Sequence, residues 1–162
     1  MFEIGDKVVY PMYGAGIIKD IEEKEILGEK QQYYIFNMTH SNMEVSIPMG
    51  NSSNLGIREV VDDETIENVL SVFTDGEPDM TVNRHQRYHS NMKRMKSGDI
   101  QEVAHVIRDL MMLSKDKKIG TEDKNMLDNA LQILTSELIL VKEITQEEAT
   151  ELINEVMNKV EE

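Results

Sequence analysis

The chain has 162 residues, 17 of them basic and 31 acidic, so its length fits one ordinary domain or two small ones and its net charge of −14 should repel nucleic acid and anionic lipid. It has no cysteine, which excludes disulfides, thiol catalysis, thiolate zinc sites and iron–sulfur clusters, and fits a reducing cytoplasm. No apolar run approaches the ~18 residues of a membrane helix, and Met1–Asp6 offers no cationic region before an apolar block, so a cytoplasmic chain without a secretory signal is expected.

The first 60 residues read as β structure. Lys7-Val8-Val9-Tyr10 ends at Pro11, and Ile17-Ile18 follows Gly14-Ala15-Gly16. Gln32-Tyr33-Tyr34-Ile35-Phe36 is aromatic and branched, and Val45-Ser46-Ile47 ends at Pro48. Leu27-Gly28-Glu29 and Met49-Gly50-Asn51 are breaks. Short strands at this spacing, with glycine in the turns, predict a small, strongly bent barrel.

From Asp62 the apolar period becomes helical. Ile66, Val69, Leu70 and Phe73 form a first stripe, which Gly76-Glu77-Pro78 ends. A second helix is predicted from about Thr81 to Met95, with Tyr88, Met92 and Met95 on one face and Arg84, Arg87, Asn91 and Arg94 on an adjacent one. Ser97-Gly98-Asp99 turns into a third, striped by Ile100, Val103, Ala104, Ile107, Leu110 and Met111. After a break at Lys118-Ile119-Gly120, Thr121 is the expected N-cap of a fourth helix. Thr145 and Glu148 form a capping-box pattern at the start of a fifth. The expected fold class is therefore α+β: a β-barrel over residues 1–60 and an all-α bundle of about five helices over residues 61–162.

The average charge hides one segment of opposite sign. Residues 61–79 carry seven acids and no base, whereas residues 80–98 carry Arg84, Arg87, Lys93, Arg94 and Lys96 and no acid. A solvated helix face paired with nearby acids is one reading of that run, and an anion-binding patch is the other. An acidic body with one basic patch binds DNA poorly alone but can do so when a second protein holds it near the duplex.

Catalytic patterns fail. Gly14-Ala15-Gly16 lacks the third glycine and the following helix of a phosphate loop. His85 and His89 are four apart, but no third metal ligand follows at useful spacing. No serine lies in a nucleophile elbow, and no carboxylate pair has a reason for a shifted pKa. No enzyme, metal or cofactor is expected.

Four blocks in order resemble the CarD/CdnL family of bacterial RNA-polymerase-binding transcription regulators. They are Ile4-Gly5-Asp6-Lys7-Val8-Val9-Tyr10-Pro11 with Gly14 and Gly16; Arg87-Tyr88, Asn91-Met92 and Ser97-Gly98-Asp99; Val103-Ala104 through Val106-Ile107-Arg108-Asp109-Leu110; and Met126-Leu127 with Gln132-Ile133-Leu134. The resemblance implies a Tudor-like (SH3-like) N-terminal barrel that docks on the polymerase β subunit by strand addition. It also implies a helical domain that lies against promoter DNA and changes open-complex stability.

By this resemblance the polymerase-binding residues are Lys24, at the place of a basic residue after the second strand, and the strand Val45, Ser46 and Ile47. Ser46 stands where the family has a second basic residue. The implied DNA-binding residues are Arg84, Arg87, Lys93, Arg94 and Lys124. Arg84 replaces a tryptophan that the family often uses as a minor-groove wedge, and offers a cation to a narrow groove instead. Such contacts are non-specific and polymerase-dependent. The alternative reading is a pure protein-interaction adaptor on the polymerase, which the missing tryptophan and the net charge favour.

Overall fold

A computed structural model describes residues 1–74, 83–116 and 118–160. Five antiparallel strands form one sheet: β1 (Lys7–Tyr10), β2 (Gly14–Ile26), β3 (Glu29–Met38), β4 (Glu44–Pro48) and β5 (Arg58–Glu59). Their order is β4-β3-β2-β1-β5. Five α-helices follow among the described residues: α1 (Asp63–Ser71), α2 (Arg84–Lys96), α3 (Ile100–Asp116), α4 (Thr121–Lys142) and α5 (Gln146–Val160). The α+β class is as the sequence implies, with one correction. The sheet is bent but open, since β4 and β5 stand at opposite edges and do not pair.

Local chemistry explains the bend and the register. The β2–β3 hairpin turns at Leu27 and Gly28, both at positive φ (54° and 81°), which is the two-residue geometry whose twist matches that of the strands. The register slips between Ile18 and Asp20, a bulge that curves β2. Gly16 cannot carry a side chain, because a Cβ there would lie 2.3 Å from the Asn37 carbonyl oxygen and 2.6 Å from the Phe36 ring. Val8, Ile18, Tyr34, Phe36, Met38, Ile47 and Ile57 form the sheet core.

Helix starts follow their caps. Asp62 accepts from the Thr65 amide and Asn83 from the Gln86 amide. Thr145 and Glu148 close the expected reciprocal box at 3.1 and 3.2 Å. The N-cap of α4 is Gly120 rather than Thr121, and it makes no side-chain bond. The predicted stop at Gly76-Glu77-Pro78 and the predicted helix start at Thr81 lie outside the described residues. The helical core is built from Ile66, Phe73, Met95, Ile107, Leu110, Leu134 and their neighbours. Among the described residues no helix is long and apolar enough to cross a membrane.

The sheet and helices meet through α4. Leu140 packs with Val9 and Ala15, and the Ala15 amide donates to Ser136 Oγ at 2.9 Å. Lys7 Nζ donates to the Leu140 carbonyl at 3.0 Å.

Candidate protein-binding edge and nucleic-acid interface

The outer border of the sheet is β4. Met38 N donates to Met43 O at 2.9 Å, and Phe36 pairs with Val45 and Tyr34 with Ile47. Antiparallel alternation then turns the main-chain groups of Glu44 and Ser46 away from β3, toward the open side. Strand alternation also divides the side chains: Ile47 is buried at 1% exposure, Val45 is half-buried, and Glu44 and Ser46 are exposed. Ile47 therefore belongs to the core that seats the strand.

Lys24 lies inside β2, not after it, because β2 runs on to Ile26. Its ammonium reaches across β3 to donate to Ser46 Oγ at 2.7 Å and stands 5.8 Å from the centre of the Tyr33 ring. The two positions singled out by resemblance, 22 residues apart, are thus in contact. Beside them Lys19 pairs with Glu44, whose hydrogen bond and charge raise the Lys19 pKa above its ordinary value. Met43, just before β4, is 59% exposed.

The cationic segment forms α2, and the helix divides its charges. Asn91 (3% exposed) and Met95 (1%) face inward against α3 and α4. Arg87 and Arg94 flank that inward side and are ion-paired. Arg87 reaches Asp123 at 3.4 Å, and Arg94 reaches Glu102 at 3.4 Å and Asp109 at 3.3 Å. Arg84 is exposed, but its guanidinium lies over Gly120, where a Cβ would come within 1.6 Å of Nη2. Lys93 and Lys96 are exposed on the outward face with His85 and His89, whose rings meet edge to face at 4.4 Å. Lys124 is exposed on the first turn of α4. Arg84, Arg87 and Lys124 therefore converge at the start of α4, whereas Arg94 turns toward α3 and Lys93 stands apart from both.

Lys19 and Met43 lie on these surfaces and were not singled out from the sequence, and Lys96 was read as part of the cationic run but not as a DNA contact. Period-two alternation around Val45 and Ile47 points to the edge. The burial of Asn91, which decides the outward side of α2, has no local signal. Among the described residues no group of three or more His, Asp or Glu side chains could hold a metal ion.

Comparison with known proteins places the chain in a family. A family model described as the CarD-like/TRCF RID domain matches residues 2–61, and one described as the CarD C-terminal domain matches residues 68–154. The chain belongs to the CarD family, and that membership supports a role in transcription regulation and an interaction with RNA polymerase in general terms. It is 48% identical over 148 residues to "Putative transcription factor YdeB" of Bacillus subtilis (strain 168), covering 91% of this chain and 97% of that protein. It is also similar to the solution NMR structure of the 72-residue N-terminal domain of Myxococcus xanthus CarD, at 29% identity and a TM-score of 0.32, over 36% of this chain and 79% of that one.

Proposed function

We propose that this protein is a cytoplasmic regulator that grips the RNA polymerase β subunit through the β4 edge and sets α2 against promoter DNA, changing open-complex stability. Residues 1–60 supply the grip and residues 61–162 the DNA contact. Lys24, Ser46 and the outward main chain of β4 meet the partner strand, with Val45 and Ile47 seating β4 from beneath. Arg84, Lys93 and Lys124 meet phosphates directly, with Arg87 and Arg94 available when their carboxylate partners give way. No covalent chemistry is involved.

The observation that carries this reading is the open β4 border, with Lys24 and Ser46 joined at 2.7 Å, in a chain whose opposing charge is gathered on α2. An exposed edge supplies main-chain hydrogen bonds to an added strand. Tethering then overcomes the repulsion between DNA and an acidic body. Phosphate contacts position a protein without reading sequence, so no operator preference is expected.

Co-purification with an isolated polymerase β fragment tests the grip. Wild type is retained, and Lys24→Glu, which reverses the charge beside Ser46, is lost. Equal retention of both proteins overturns the assignment of the edge. A second reading, an adaptor on the polymerase without productive DNA contact, is favoured by the ion pairs of Arg87 and Arg94. Retention on polymerase with unchanged promoter-opening kinetics selects it.

A further inference from the structure

Arg58 stands on β5, at the sheet edge opposite β4. Its guanidinium makes a two-pronged contact with Glu137 of α4, Nη1 to Oε2 at 2.9 Å and Nη2 to Oε1 at 2.8 Å. Its Nε donates to the Gly98 carbonyl, in the turn between α2 and α3, at 2.8 Å. The Glu137 side chain is fully buried, and Oε2 also accepts from the Val61 amide at 2.9 Å. One side chain of the sheet thus holds the C-terminal half of α4 and the turn that follows α2.

The turn is held from its other side as well. Gly98 has φ +76°, and a Cβ there would lie 2.8 Å from Cγ of Pro11, in the β1–β2 connection. The segment that fixes the direction of α2 is therefore wedged between Pro11 and Arg58. Meanwhile α4 has its own attachments to the sheet, through Ser136 to Ala15 and Lys7 to Leu140.

A buried ion pair is weak evidence for stability, because apolar pairs of similar volume often serve as well. What a bidentate guanidinium–carboxylate contact adds is direction. We propose that Arg58 and Glu137 are positioning residues: the pair, together with the Arg58–Gly98 bond, sets the angle between the β4 edge and α2. Resting on the function proposed above, this angle decides whether α2 meets promoter DNA while β4 is held on the polymerase.

The absence of cysteine makes a distance test clean. Spin labels are placed at Glu44→Cys on β4 and Lys93→Cys on α2, and the label-to-label distance distribution is measured in the whole chain. With Arg58 and Glu137 intact a single narrow distribution is expected. In Arg58→Met/Glu137→Met, which removes both charges together, the distribution broadens or shifts although the protein melts as one cooperative unit. Arg58→Lys, which keeps the charge and loses the fork, is read the same way and carries the test should the double variant not fold. A distribution unchanged from wild type, in the double variant or in Arg58→Lys, overturns the proposal.

A functional arm separates this idea from the reading it rests on. Retained binding to the β fragment with at least a tenfold smaller effect on open-complex lifetime supports the positioning role. The full wild-type effect in the folded double variant refutes it. A wild-type protein that leaves open-complex lifetime unchanged refutes the proposed function instead, and the spin-label distances still decide the role of the pair.

Discussion

Arg87 and Asp123 form an ion pair at 3.4 Å in which the carboxylate side chain is only 2% exposed. Asp123 Oδ1 and Arg87 Nε are buried and have no hydrogen-bond partner, so the pair is incompletely satisfied. A carboxylate in this place competes with a phosphate oxygen for the same guanidinium. Asp123→Asn should release Arg87 and add one phosphate contact. The expected result is tighter polymerase-dependent promoter binding, with a log affinity against log salt slope steeper by about 0.9. Salt titrations of the two proteins on one promoter fragment check it.

By the family resemblance Ser46 stands where a basic residue is expected, and Lys24 donates to it at 2.7 Å. Ser46→Arg restores the second cation on the exposed edge, where a guanidinium can fork to a partner carboxylate. We expect tighter capture of the polymerase β fragment and a stability change within about 0.5 kcal/mol, since Ser46 is exposed. Binding titrations paired with urea melts separate the two effects.

Two glycines predict opposite outcomes for the same substitution. Gly16→Ala meets the Asn37 backbone and the Phe36 ring, neither of which can move without disturbing the sheet core. It should destabilise by at least about 1–3 kcal/mol, as overpacking does. Gly120→Ala meets only the tip of the flexible Arg84 side chain. It should change stability by less than about 1 kcal/mol while displacing that cation from α4. Denaturant midpoints rank the two variants.

Acid sensitivity follows from a helix cap. The Thr65 hydrogen bonds to Asp62 hold this carboxyl below its ordinary value of 3.8. The folded protein thus favours the ionised form. Its stabilising effect is full above the ordinary value and is lost as pH falls through the lower folded value. Asp62→Ala removes this part of the acid limb. The stability gap between wild type and variant should be constant near neutral pH and close below about pH 4. Thermal melts across that range measure it.

What the sequence revealed depended on whether its cause was local. The Thr145–Glu148 box is a four-residue pattern, and it forms where the spacing predicts. The strands around Val8, Phe36 and Ile47 were legible because short branched and aromatic runs end at proline and glycine breaks. The full length of β2 was not, because residues 19–26 are mostly polar and carry no core pattern. Helical periodicity gave the angular spacing of Arg84, Arg87, Asn91 and Arg94 but not which side of α2 faces inward. That side is fixed by α3 and α4, through carboxylates 8 to 36 residues away in the chain. The Arg58–Glu137 contact spans 79 residues and left no trace in either segment.

The most direct test is the salt dependence of promoter binding by the polymerase-bound protein, compared with the variant Arg84→Ala/Lys93→Ala/Lys96→Ala. With Lys96 counted beside Arg84, Lys93 and Lys124, about four phosphate contacts give a protein-specific slope of about −3 to −4. The account predicts that slope for wild type, a shallower one for the triple variant, equal retention of both on the β fragment, and negligible binding of either to free duplex. Identical slopes for the two proteins in the presence of polymerase would contradict a role for α2 in holding DNA.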